Sequence, residues 1–282
     1  MVSDLRRQVE RARRLLQGKA APPEAPPLAR DGFQDNRTYA RHIESLDEGA
    51  LDELNALLPW RCFTVDSRGR RIGDRTKPWK NEQPRPIPDP RIVRAHERFD
   101  LSDKRVLEVG CFEGVHTIGL SQLAREVTAV DARIVNVVKT IVRCNLYGSK
   151  PTVFVCDLEE WKPEDFDVDV VFHVGVLYHL RDPVRHVHEL SRVAKRGLVL
   201  DTHVAEPHEA TEGFTSHGKT YQVRRYDEIP RLPAAGVYDH AKWLTLDDLV
   251  GLLGEVGFSG IEVSGQRHEG DGARVTILAD RA

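Results

Sequence analysis

The sequence predicts an α/β protein: a doubly wound, seven-stranded sheet with an antiparallel last strand, preceded by an N-terminal helical extension. Three observations predict it. Short β-branched runs ending in Gly or Asp alternate with helix-like segments from about residue 105 to 204, the pattern of a parallel sheet covered on both faces. The last two strand-like runs follow each other with no helix between them, which puts an antiparallel strand at the sheet edge. Residues 1–95 lack the alternation and are punctuated by prolines.

In chain order, "MVSDLRRQVERARRLL" opens as a basic helix with only a thin apolar stripe, Leu5, Val9, Leu15 and Leu16. It reads as a solvated or partner-packing helix, and an oligomer contact through this extension is one expectation. "GKAAPPEAPPLARDG" follows as an extended linker. Ile43, Leu46, Leu51, Leu54, Leu57 and Leu58 then recur at the spacing of one or two packed helices. Five prolines between Lys77 and Arg91 make a second irregular stretch, so the extension is set at 1–95 and the compact domain at 96–282. Within that domain "RVLEVG", "EVTAVD", "PTVFVCD", "VDVVFHVG" and "RGLVLDTHV" are the parallel strands. "LTLDDLVGLLGEVGF" is a helix that breaks at Gly257, and "GIEVSG" and "ARVTILA" complete the sheet.

Composition narrows the function classes. The 282 residues carry a net charge of −3, so nucleic-acid binding has to rely on local basic patches. No run approaches the roughly 18 apolar residues of a spanning helix, and the N-terminus lacks the apolar centre of a secretory signal, so a cytoplasmic protein with no membrane partner is expected. The four cysteines have no CxxC spacing and read as reduced thiols, with neither a zinc site nor a disulfide framework.

A doubly wound sheet holds its ligand at the carboxyl ends of its first strands. There Glu108, Gly110 and Gly114 form E-x-G-x-x-x-G, with Cys111 and Phe112 inside the turn, and Asp131 and Ala132 close the second strand 23 and 24 positions after Glu108. A carboxylate about 20 positions on suits a ribose diol. A dinucleotide fingerprint needs two further glycines where Phe112 and Val115 stand, and its central glycine exists to let backbone approach a pyrophosphate. S-adenosylmethionine (SAM) has no phosphate, and the acidic Glu108 complements its cationic methionine end. Asp157, beside Leu158, ends the third strand and reads either as acceptor for the adenine amino group or as an N-cap. Val174 and Gly175 end the fourth.

Together, "LEVGCFEG", "AVD", "VCDLEEW", "VGVLYHLRDP" and "LLGEVGFSGIEV" resemble the class I SAM-dependent methyltransferases over roughly residues 92–282. That family's Rossmann-like fold and SAM as cofactor are what the resemblance implies. "GVLYHLRDP" and the upstream "LLPWR" (Leu57–Arg61) are most similar to the bacterial enzymes that complete the 5-oxyacetyl group of wobble uridine in transfer RNA by carboxymethyl transfer. In those enzymes a lysine follows "PWR" and helps hold the extra carboxylate of carboxy-SAM. This chain has Cys62 there, which points to ordinary SAM as donor.

Methyl transfer asks the protein to align donor and acceptor and to remove a proton. Tyr178 and His179 follow the fourth strand, the position that faces the methyl group in the family. His179 is read as general base or as a packing residue of the turn, and Tyr178 as an aligning group. "DTHVAEPHEA" supplies His203 as a second candidate base; Asp201, His203, Glu206 and His208 are metal-ligating types, but their spacing matches no metal signature and no metal is expected. Residues 205–242 read as an acceptor-binding lid without clear periodicity, with Tyr221, Arg224 and Tyr226 as contacts. Trp60, Arg61, Trp79 and Lys80 are further acceptor-binding candidates. The expected acceptor is a small polar molecule, a saccharide or secondary metabolite, methylated on oxygen. A transfer-RNA base and a non-catalytic partner protein with the same fold are the alternatives.

Overall fold

The computed structural model describes residues 43, 46–66, 68–73, 84–232 and 234–281. The basic N-terminal helix, the first proline linker, Trp79 and Lys80 lie outside them, and so does any contact through the extension's first 42 residues.

Helix α1 (Glu48–Leu57) starts where the Asp47 carboxylate accepts from Ala50 N at 2.8 Å, an N-cap on an otherwise orphan donor. A short hairpin follows, β1 (Phe63–Val65) against β2 (Arg71–Gly73). The extension therefore contains a small sheet where only helix and irregular chain were expected. Helix α2 (Pro90–Phe99) is capped by Asp89 and begins on a proline, whose missing N–H costs nothing in a first turn.

The main sheet is built from β3 (Arg105–Val109), β4 (Glu126–Asp131), β5 (Thr152–Val155), β6 (Val168–Val174), β7 (Ala194–His203), β11 (Phe258–Glu269) and β12 (Gly272–Arg281), in the order β11-β12-β7-β6-β3-β4-β5. Pairings from β5 through to β7 are parallel, and β12 lies antiparallel between β7 and β11. This is the doubly wound, Rossmann-like sheet that the sequence predicts. Helices α3 (Val115–Leu123), α4 (Ile134–Leu146), α5 (Pro183–Val193) and α6 (Leu246–Glu255) join and cover the strands. One face buries Leu107, Val109, Val171 and Leu198 against α5 and α6; the other buries Val106, Val170 and Val199 against Ile92 and Leu120. Fully buried on both faces, these strands read as continuous apolar runs.

The segment expected to be an aperiodic lid is instead ordered for much of its length. It forms a three-stranded antiparallel sheet, β8 (Glu212–Ser216), β9 (Lys219–Asp227) and β10 (His240–Leu244), with β9 central. Residues 228–232 and 234–239, between β9 and β10, lie outside the strands as a strap. Among the described residues no helix is long and apolar enough to cross a membrane.

Candidate active site

Strand order reverses between β6 and β3, and there a cavity of about 1140 Å³ opens at the carboxyl ends of the strands. Its floor is the turn after β3. Gly110 has φ +79°, and a Cβ on it would lie 2.2 Å from Val176 Cγ2, so the turn closes only on glycine. Gly114 (φ +79°) caps α3 against Thr140 of α4, where a Cβ would meet backbone at 3.0 Å. Phe112 reaches φ +49° without being glycine, and its amide donates to Asp131 Oδ2 at 3.0 Å. Asp131 Oδ1 accepts from Arg133 N and the Asn136 amide, at 2.9 and 3.1 Å. The carboxylate that ends β4 is thus fixed in place on the cavity wall.

Asp157, after β5, also lines the cavity; its Oδ1 accepts from Glu159 N, and its Oδ2 accepts from the Tyr238 hydroxyl at 2.8 Å. Arg181 lies 3.5 Å over the Tyr238 ring. Glu108 departs from expectation. It is buried beneath the turn rather than on the wall; Oε2 accepts from Thr117 Oγ1 at 2.5 Å while Oε1 has no partner. Burial pushes its carboxyl up to about 8.

Beyond Gly175 the cavity widens into a polar chamber. A 3-10 turn, Leu177–His179, presents Tyr178 and His179 to it. His179 Nδ1 is 2.5 Å from Glu228 Oε1 on the strap. The far wall is an ion network around Asp201, two residues before the end of β7 and buried among Arg91 (3.2 Å), Arg267 (3.2 Å) and Arg274 (2.6 Å), with Thr276 Oγ1 donating at 2.6 Å. Burial works to raise the Asp201 carboxyl, but Arg274 and Arg91 hold it down at about 2. Glu269 and Asp89 take the other faces of those arginines, so charge is balanced within the network.

"LLPWR" docks on the glycine turn. Glu113, buried, accepts from Arg61 N at 2.8 Å and Cys62 N at 3.0 Å and pairs with the buried Lys139 at 2.7 Å. Cys62 lines the cavity, and burial pushes its thiol up to about 11. It is therefore neutral.

Of the residues expected at the site, Gly110, Cys111, Phe112, Asp131, Ala132 and Asp157 line this one cavity. So do Leu158, Val174, Gly175, Tyr178, His179 and Arg61. The others correct the expectation. Trp60 is buried away from the cavity under Arg143, 4.7 Å over its ring. His203 sits behind Tyr178, stacked on Trp243 at 4.8 Å with Nδ1 facing Ala273 O, so it does not reach the chamber as a base. Tyr221 points inward into the main core from β9. Arg224 pairs with Glu209, and Tyr226 stacks on Trp243, both outside the cavity. Among the described residues no group of His, Cys, Asp and Glu is arranged to hold a metal ion. Arg91, Arg267, Arg274, Glu228 and Tyr238 went unread in the sequence.

Residues 107–200 match the family model described as a methyltransferase domain. That span runs from β3 to β7 and includes both the glycine turn and the Tyr178–His179 turn. Over those residues the chain carries a methyltransferase domain. The chain is similar to the tRNA U34 carboxymethyltransferase of Methylococcus capsulatus, 34% identical over 149 residues that cover 51% of this chain and 44% of that protein. It is 29% identical to the enzyme of the same name from Pseudomonas aeruginosa, over 75% of this chain and 64% of that one. The chain thus spans about half to just under two thirds of the length of these curated relatives. Among solved structures, the N-terminal domain of EvdMO1 with SAH bound has a TM-score of 0.69 at 23% identity, covering 89% of this chain and 98% of that domain. The same domain has been solved in the presence of SAH and D-fucose, with a TM-score of 0.68.

Proposed function

We propose that the protein transfers a methyl group from SAM to a hydroxyl of a small polar acceptor, a saccharide or a comparable polyol, with His179 as general base. The observation that carries this reading is the His179–Glu228 pair. A carboxylate on Nδ1 places the ring proton there and leaves Nε2 bare, the form that accepts a proton from a hydroxyl.

The residues present fit SAM. Asp131 and Asp157, both on the cavity wall, would take a ribose diol and the adenine amino group, whereas Glu108, buried beneath the turn with its carboxyl pushed up to about 8, offers no charge to a cationic methionine end. SAM supplies an activated methyl on a sulfonium. With SAM bound, His179 Nε2 would take the hydroxyl proton as the methyl passes from sulfur to the acceptor oxygen. Tyr178, whose hydroxyl is raised above its ordinary range by burial despite Arg274, stays protonated and keeps a proton to donate to the acceptor. Cys62 offers no cation for a second carboxylate, which favours plain SAM over carboxy-SAM. The solved fold-mate of nearly the same extent, crystallised with D-fucose present, makes a sugar the first acceptor to try.

Modification of a transfer-RNA base is the second reading, favoured by relatives of that name that align with up to three quarters of the chain. Methyl-labelled SAM offered with D-fucose, a panel of polyols or bulk transfer RNA separates the two. Label in a sugar supports the first; label confined to RNA replaces it with the second.

A further inference from the structure

We propose that Glu228 is the positioning residue of the His179 base, so that the strap 228–239 completes the active site rather than covering it. The proposal rests on the reading of His179 as base.

The Glu228 side chain is 2% exposed, and both its oxygens are committed. Oε2 accepts from Gly236 N at 2.9 Å, across the strap's own loop, while Oε1 faces His179 Nδ1 at 2.5 Å. A desolvated carboxylate needs such partners, and a carboxylate that served only to close the loop would have no reason to face a cavity-lining imidazole. Gly236 makes the approach possible, since a Cβ there would lie 2.9 Å from His179 O. The strap is anchored on the cofactor side as well. Arg133 donates to Ala235 O and Gly236 O at 3.1 and 2.9 Å, and Tyr238 reaches Asp157. The carboxylate that orients the base is therefore carried by the segment that also touches the residues expected to hold adenosine.

Glu228→Gln tests this with an inverted signal. Gly236 N–H requires an oxygen, so the new carboxamide must turn its NH2 toward His179, and Nδ1 becomes an acceptor. Histidine-labelled protein loaded with S-adenosylhomocysteine is read by 15N NMR at about pH 8.5, above the ordinary imidazole range near 6.5. The expected result is His179 as the Nδ1–H tautomer in wild type and as the Nε2–H tautomer in Glu228→Gln, with S-adenosylhomocysteine affinity changed by less than about threefold. Glu228→Ala gives a second reading of the same signal: with no partner on Nδ1, the Nδ1–H form is no longer the majority. Persistence of Nδ1–H in both variants, or its absence from wild type, overturns the proposal. Inactivity or activity of His179→Asn bears on the base itself, whereas the tautomer bears on Glu228 alone.

Discussion

Phe112 holds a left-handed backbone angle that costs a side-chain-bearing residue roughly 1–2 kcal/mol. Its ring offsets that by packing on the apolar cluster of Ile43, Leu51, Ile87 and Val115. Phe112→Gly should therefore relieve strain and lose packing at once. The expected outcome, read by urea denaturation and calorimetry with SAM, is a net loss of about 1–3 kcal/mol in stability with SAM affinity retained within tenfold. Loss of all detectable binding would make the ring part of the pocket itself. At this scale the sequence was legible where function follows a strand end: Asp131 closes its strand, Gly110, Asp157, Gly175, Tyr178 and His179 follow theirs within a few residues, and all face one cavity. Glu228 and Tyr238 were not legible, because their partners His179 and Asp157 lie 49 and 81 positions away and no local pattern encodes those pairings. His203 misled for the same reason: it ends β7 as an active-site residue does, but β12 and Trp243 close over it.

The "LLPWR" element is held to the glycine turn through buried charge. Glu113 ties the backbone of Arg61 and Cys62 to Lys139 of α4, while Lys139 also donates to Pro59 O at 2.6 Å. Removing one member of a buried ion pair leaves the other uncompensated, which typically costs about 3–5 kcal/mol. Lys139→Ala should lose stability of that order in a denaturant melt, whereas Lys139→Arg should retain part of it; an unchanged midpoint in Lys139→Ala would deny the docking role. The insertion holds a more general lesson. In β9, Tyr221 and Val223 are buried and alternate with the exposed Gln222, so the period of two was present in the sequence. Basic and turn residues around it hid the signal, and a strand was read as a lid.

Across the whole molecule the parallel core was readable because its central strands β3, β6 and β7 are buried on both faces. Polar groups sealed into that core give stability a pH signature that composition does not. His173 and His186 face each other at 3.0 Å, both lowered by burial, His173 well below 6.5. The unfolded chain takes up protons as pH falls through about 6.5 and the native one does not, so their contribution is complete above that pH and declines below it. Glu108 acts oppositely. Its native carboxyl keeps a proton up to about 8 that the unfolded chain loses near 4.5, so stability declines as pH rises through that window. Thermal melts from about pH 5 to 8.5 should pass through a maximum near neutrality, and Glu108→Gln should flatten the alkaline side. A profile that rises without a turning point would contradict the placement of these groups.

Single-turnover transfer of labelled methyl from bound SAM to the acceptor that the polyol and transfer-RNA comparison selects, run for wild type and His179→Asn side by side, tests His179 most directly. The predicted result is a rate lower by about 10²- to 10⁴-fold in His179→Asn with SAM affinity unchanged. Equal rates for the two proteins would contradict a general base at His179.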